Sequence, residues 1–413
     1  MRLNNLDLFT GIGGWHLAAE RNGHIETICT SEIDPYKVKF IDRNLGLDNA
    51  GSIINVAVPA ACHPHSSYAD DDRVAVEETG FTSLCIEDFY EGIIPFPDSI
   101  TGSFPCREVS PANTLNNEGI NGEHSSLIHE QLRIIEDLEP RYVAMENSEL
   151  LRLRGLDYIL SEFNRMGYCV EYETVAACHF GLPHYRHRLY LVAYLPDSAV
   201  GQTNTRVFDS VRKMATKHPN DTIPFMNDAD QALLDFATVR EPKSIKLRTK
   251  RINALGDAII VDIAEGIFAG ITHCEQRDNR RSKPKPRSDE MYKASLTEQG
   301  TWAILQPDLF DPASQSLQDL PARGLMINGE LFSGPRDPVL NPAKTMYPSV
   351  FSTILRRDGN NNFTCKSRLN RPGRLGGVIG DLMRLGCSEG GLNPEFAEVM
   401  MGYERGYTAL KSK

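Results

Sequence analysis

The sequence has no run of about 18 apolar residues, so no segment is expected to span a membrane. Its opening, Met1 to Thr10, lacks the long apolar stretch of a secretory signal and leads straight into a predicted strand. There is no Cys-x-x-Cys pair, and the nine cysteines are scattered. That usage argues against a disulfide frame and a zinc site, and for reduced thiols in a cytoplasm. His63 and His65 form a His-x-His pair in a loop-like stretch, but no third ligand is near, so no metal is expected. Internal repeats and low-complexity runs are missing too. So is any overall excess of basic charge: the formal net charge is −11, which excludes a general nucleic-acid coat.

What is present is an ordinary globular balance. The chain has 413 residues, 41% hydrophobic and 24% charged, enough for one large domain and one or two smaller ones. Basic residues nevertheless cluster at Lys243 to Arg251, Arg277 to Arg287, Arg356–Arg357 and Lys366 to Arg374. Four such clusters in the C-terminal half favour a polyanionic partner there.

Asn5 to Phe9 reads as a buried strand, followed by the turn Thr10-Gly-Ile-Gly-Gly14 and a helix from about Trp15 to Asn22. A strand, a glycine turn and a helix let backbone N–H groups approach a nucleotide-like ligand. The spacing is G-x-G-G, not G-x-G-x-x-G, which counts against a nicotinamide-dependent oxidoreductase. Glu32 closes the next strand, Thr27 to Ser31, about 20 residues past the glycines, where an acid suits ribose hydroxyls. A strand at Ser83 to Ile86 would end near Asp88, which suits an exocyclic amine or a solvated strand end equally.

The strand Ser99 to Phe104 delivers Cys106 on the stiff turn Phe104-Pro105-Cys106. Proline fixes its own φ and stops a central strand, and a thiol is the readiest side-chain nucleophile at neutral pH. A polar, Gly/Asn-rich stretch over 111–123 reads as a loop. The strand Tyr142 to Met145 then ends in Glu146-Asn147, where a carboxylate beside a thiol could protonate a heterocycle nitrogen while sulfur attacks carbon. Its bland alternative is an acid at a helix N-terminus. Arg186 and Arg188 precede the strand Leu189 to Tyr194 and, if extended, point to the same face. Strands and helices alternate over the first 195 residues, which predicts an α/β fold with a mostly parallel, doubly wound sheet. Residues 196–247 have weak periodicity and read as a linker or cover. Arg251 to Ile260 begins as a turn before an apolar helix reaching about Ile271. A helix starts at Asn393 or Pro394 and stops before Gly402.

These residues together resemble the DNA (cytosine-5) methyltransferases, over about 5–194, 248–271 and 392–408. Asp7 to Gly14 resembles the motif that holds S-adenosylmethionine, Gly102 to Cys106 the catalytic motif, Glu146-Asn147 the next and Arg186-x-Arg188 the one after. The resemblance implies a Rossmann-like S-adenosylmethionine-dependent fold and catalytic roles for Cys106, Glu146, Arg186 and Arg188. It assigns Phe9, Thr10, Gly11, Gly13, Gly14, Glu32, Ile33, Asp88, Phe89, Pro105 and Asp257 to the donor pocket, with no metal. It implies a catalytic core over 1–195, a donor-pocket helix over 248–271, a small irregular β-rich target-recognition domain over 272–390, and a C-terminal helix over 391–413 packing back on the core. The last donor motif precedes the variable region, an order that looks like phage and prophage enzymes. Double-stranded DNA is the implied partner, with the protein a monomer in the cytoplasm of a bacterium or phage-infected host.

Three positions depart from the family pattern. Asp257 stands where Asn is usual, Ser148 where Val follows Glu-Asn, and His184 where Gln is usual. A carboxylate at 257 would repel the donor's own carboxylate unless protonated or paired. Methyl transfer to cytosine C5 is the expected reaction. The alternatives are cytosine modification from a modified donor, or a catalytically inactive DNA-binding homologue.

Overall fold

A computed structural model describes residues 2–57, 84–106, 108–109, 119–122, 125–215, 234–240, 244–277, 283–297, 302–304, 320–335, 337–340, 351–361, 377–387 and 390–412. His63, His65, Ser83 and most of the 111–123 stretch lie outside these residues.

The N-terminal half builds a six-stranded core. Its strands are β1 (Leu3–Leu8), β2 (Ile25–Ser31), β3 (Ser99–Gly102), β4 (Tyr142–Ser148), β5 (Cys169–Val175) and β6 (Arg188–Tyr194). They lie in the order β2-β1-β3-β4-β6-β5. β1 to β4 pair parallel, and β6 runs antiparallel to both β4 and β5. Hence β5 points the same way as β1 to β4, and only β6 runs against them. Alternate residues feed opposite faces, as a pleated strand requires. Tyr142 and Ala144 of β4, and Tyr190, Val192 and Tyr194 of β6, pack into one apolar cluster. Val143 and Met145, and Leu189, Leu191 and Ala193, pack into the other.

Helices cover both faces. α1 (Gly14–Asn22), α2 (Pro35–Phe40), α3 (Ile86–Tyr90), α4 (Leu127–Leu138) and α5 (Leu156–Arg165) come from the first half of the chain. The face of α4 that carries Ile128, Leu132, Ile135 and Leu138 is buried, the i, i+4, i+7 stripe of an amphipathic helix. α2 begins where local chemistry dictates: Asp34 accepts from the backbone N–H of Tyr36 at 2.9 Å, and Pro35 occupies the first helical position.

Several boundaries differ from the sequence reading. The strand expected at Ser83 to Ile86 is a single bridge position at Cys85 followed by α3. β4 continues past Met145 through Ser148, so Glu146 and Asn147 lie inside a strand and not at a helix N-terminus. Residues 196–247 include the helix α6 (Val207–Ala215), whose Val207, Phe208, Val211 and Ala215 are buried. The turn expected from Arg251 is a helix, α7 (Arg248–Asp257), and α8 (Val261–Glu275) follows after a break at Ala258 to Ile260.

The described strands between 272 and 390 join the core sheet. They are β8 (Met291–Leu296), β9 (Trp302–Ile304), β10 (Arg323–Ile327) and β11 (Glu330–Ser333), after the short β7 (Thr238–Val239). β10 pairs antiparallel with β5, and the sheet continues as β11-β8-β9. A short helix, Asp358–Asn361, follows, and then α9 (Gly377–Arg384) and α10 (Pro394–Met400). α10 starts at the predicted place, capped by the Asn393 side chain accepting from the Glu395 N–H at 3.1 Å. No described helix is long and apolar enough to cross a membrane.

α6 packs on α8, and glycine permits the close approach. A Cβ on Gly270 would sit 2.6 Å from the Val207 carbonyl oxygen, which is backbone and cannot swing away. Gly270→Ala is therefore expected to force the two helices apart and cost about 1–3 kcal/mol of stability. Chemical denaturation of the variant beside the parent protein measures it.

Candidate active site

The sheet order decides where the chemistry gathers. β1, β3 and β4 are parallel neighbours, so their C-terminal ends lie at one edge. The glycine turn follows β1, the Ser103 to Cys106 segment follows β3, and Glu146 and Asn147 come at the end of β4. Glu32 follows β2 at the same edge. In α/β sheets this edge is where ligands bind.

Asn147 ties two of these ends together. Its Nδ2 donates to the Phe104 carbonyl at 3.0 Å, holding the turn before Cys106 against β4. The buried Glu146 carboxylate meets Arg188, whose Nε lies 3.1 Å from Oε1. Glu146 also accepts from Ser103, whose Oγ in turn receives the Trp15 indole N–H at 3.3 Å. A chain of contacts thus runs from α1 to the acid. Burial holds the Glu146 carboxyl above its ordinary range, against the pull of Arg188 and Arg186. Burial likewise pushes the Cys106 thiol up; Arg188 and Arg186 pull it down, while Glu146 and Asp257 push it up. Cys106 and Glu146 therefore share one electrostatic environment with both arginines.

Arg186 corrects an expectation. It is not extended: its φ is 36°, in the left-handed region. Its buried guanidinium turns to backbone, donating to the carbonyls of Ile354 and Gly256 at 3.1 Å each and of Ala258 at 2.6 Å. It holds the C-terminal end of α7 in place. His184 is also structural in its contacts. Burial lowers its pKa to about 3, so the ring is neutral, and Nε2 donates to the Met400 carbonyl at 2.8 Å.

The first turn has the backbone that its glycines suggest. Gly11 and Gly13 have φ of 64° and 74°, the left-handed region, and Phe9 joins them at 54°. Thr10 Oγ1 donates to the Asp7 carbonyl at 2.7 Å. Gly14 is needed for space: a Cβ there would meet Ile259 at 2.5 Å and the Tyr403 hydroxyl at 2.9 Å. The Glu32 carboxylate is oriented by three backbone N–H groups at 2.9 Å, from Gly11, Ile33 and Asp34. Ile33 beside it is 65% exposed. Asp88 caps its own helix by accepting from the Cys85 N–H at 2.8 Å, and Phe89 is buried beneath it.

Asp257 is paired, not free. Lys37 Nζ lies 3.1 Å from its Oδ2, and Arg356 lies 3.5 Å away. Sequence reasoning missed Lys37, Ser103 and Trp15. Nothing in the spacing marks Lys37, since its partner stands 220 residues downstream. A small cavity lined by Glu171, Glu173, Arg206, Arg212, Arg287 and Arg323 lies at the seam of β5 and β10, and contains none of the predicted site residues.

Residues 82–273 match the family model for C-5 cytosine-specific DNA methylases. The chain is 30% identical over 201 residues to the type II methyltransferase M2.BsuMI of Bacillus subtilis (strain 168), covering 46% of this chain and 41% of that protein. It is 27% identical over 206 residues to the type II methyltransferase M.Sau3AI of Staphylococcus aureus, covering 48% and 44%. The chain thus spans less than half the length of these relatives. Among solved structures, a putative DNA modification methyltransferase encoded in an Escherichia coli prophage aligns with a TM-score of 0.33 and 20% identity, over 47% of each chain. Over these matched residues the chain is similar to the C-5 cytosine-specific DNA methylases.

One titration at this edge is accessible to measurement. Asp7 is buried, and its Oδ1 accepts from Thr101 Oγ1 at 2.9 Å while Oδ2 has no partner. Burial raises its pKa from 3.8 to about 7. Between those values the folded state binds more protons than the unfolded chain, so stability falls as pH rises through that window. Glu171, raised from 4.5 to about 7, acts in the same sense. Asp7→Asn is expected to flatten, but not abolish, this decline, as measured by denaturant unfolding across about pH 4 to 8.

Proposed function

We propose that the protein transfers a methyl group from S-adenosylmethionine to C5 of cytosine in duplex DNA. The observation that carries this reading is the cluster of Cys106, Glu146 and Arg188 at neighbouring strand ends, beside a glycine turn and a ribose-suited acid.

Cytosine C5 is a poor nucleophile and is unreachable inside a duplex, so the base must leave the stack. Cys106 as thiolate adds to C6, which makes C5 enamine-like. Glu146, carrying a proton more readily than an exposed carboxylate, donates to the N3 edge and stabilises the adduct. Arg188, anchored on Glu146, faces the thiol and supports its ionised form. C5 would take the methyl group as its bond to the donor sulfur breaks, leaving a neutral thioether. The C5 proton then passes to solvent, N3 returns its proton to Glu146, and the thiolate is expelled, which returns Cys106 to its starting state. Arg186 holds the end of α7, and its role is positioning.

The residues present fit the donor. Its sulfonium supplies an electrophilic methyl group. A carboxylate has about four acceptor positions, and backbone N–H groups fill three of those on Glu32, so one remains for a ribose hydroxyl. The glycine turn offers close backbone approach without a pyrophosphate cradle. Lys37 pairs with Asp257 at 3.1 Å, which supports the ordinary donor over a modified one. Residues 272–390 are assigned to recognition of base edges in the major groove.

Cys106→Ala is expected to reduce methyl transfer to background while DNA binding persists. Glu146→Gln should slow it by about 10²–10⁴-fold, the range of a lost general acid. Transfer of labelled methyl to DNA, with mass spectrometry of the nucleosides, measures both. Parental rates in the alanine variant would refute covalent catalysis by this thiol.

A further inference from the structure

Asp257 is a carboxylate near Cys106 and Glu146 that the proposed reaction does not use. It ends α7, and its charge acts on both Cys106 and Glu146, raising the proton affinity of each. An unpaired carboxylate there would oppose formation of the thiolate and would repel the carboxylate of an amino-acid-bearing donor. The structure supplies an answer from a distant part of the chain. Lys37, in the first turns of α2, places Nζ 3.1 Å from Asp257 Oδ2 and 4.0 Å from Glu32 Oε2. The Lys37 side chain is 12% exposed. Glu32 and Asp257 overcome the burial that would otherwise discharge the ammonium, so it remains a cation. Arg356, the other neighbour of Asp257, is half exposed at 3.5 Å, and a pair so open to water contributes little.

The geometry of this link is rigid at one end. Glu32 is clamped by three backbone N–H groups, and Lys37 extends that anchored carboxylate to Asp257. The end of α7 is held from the other side by Arg186, which takes the carbonyls of Gly256 and Ala258. We propose that Lys37 is a positioning residue of the donor site, which joins Glu32 to Asp257 and cancels the Asp257 charge toward both the donor and Cys106. An ion pair therefore stands where a neutral amide would need no partner. The proposal rests on the reading of the site as a donor and cytosine cavity, and its consequences for the thiol can be tested without a donor.

The test is a double-mutant cycle on the full chain with Lys37→Met, Asp257→Asn and the double variant, plus Lys37→Arg. Two quantities are read. The first is the rate of Cys106 alkylation by iodoacetamide at fixed pH, resolved by peptide mass spectrometry so that the other cysteines do not interfere. The second is the affinity for S-adenosylmethionine by calorimetry. Lys37→Met is expected to slow alkylation about three- to tenfold, the effect of up to one unit in the thiol pKa, and to weaken donor binding by a similar factor. Asp257→Asn alone should speed alkylation. The double variant should return toward the parent in both readouts, and Lys37→Arg should behave like the parent.

Equal losses in Lys37→Met and the double variant would overturn the proposal, because Lys37 would then act without Asp257. Parental values in Lys37→Met would overturn it as well. If Lys37→Met does not fold, the parent-like behaviour of Lys37→Arg and the faster alkylation of Asp257→Asn carry the test, and slower alkylation in Asp257→Asn refutes it. Should the parent protein not bind the donor, the methyl-transfer reading fails, and the alkylation cycle alone decides whether the pair sets the charge at Cys106.

Discussion

The cluster of Glu146, Arg188 and Cys106 depends on the antiparallel pairing of β6 with β4. That pairing sets Arg188 opposite Ser148 at the end of β4, and its guanidinium reaches Glu146 two residues back on the same face. An isolated carboxylate at this depth would be strongly disfavoured, because no water would solvate its charge. The guanidinium offsets that cost only in part, and Glu146 remains easier to protonate than an exposed acid. A buried ion pair of this kind adds little net stability. Its consequence is a readily protonated carboxyl and a cation held together near Cys106.

The same economy of buried charge joins the two ends of the chain. Arg251 of α7 meets Glu398 of α10 at 2.8 Å, with both side chains almost fully buried. Glu398 also accepts from the Thr408 N–H at 2.9 Å. Tyr403 donates to the Ile259 carbonyl at 3.1 Å, and Tyr407 to the Ile12 carbonyl at 2.8 Å, inside the glycine turn. The last residues of the sequence thus brace its first loop. A Cβ on Gly14 would enter the space that Ile259 and Tyr403 occupy.

Much of the architecture was legible because its signals are local. Asn393-Pro394 marks a helix start by a cap and a fixed φ, and the structure begins α10 there. Gly11 and Gly13 announce left-handed backbone, and they adopt it. Local signals also misled. The strand expected to end at Met145 runs on to Ser148, so the polar Glu146 and Asn147 are buried within its last three residues. A polar residue in a buried strand is allowed when a partner satisfies it, and the partners here are Arg188 on β6 and the Phe104 carbonyl. α6 was overlooked because its four buried residues fall among charges, and only the α8 surface shows which side faces inward.

The sequence by itself determined the alternation of strands and helices around the first glycine turn, the thiol on its proline turn, and the glycines and acid that follow the first two strands. These follow from the torsional limits of glycine and proline, from side-chain capping, and from periodicity, all of which act within a few residues. Only the tertiary structure decided that Arg186 would hold backbone carbonyls while Arg188 meets the acid, and that Asp257 would find Lys37. Such pairings are set by which distant groups share a low-dielectric space, and a linear pattern carries no record of that distance.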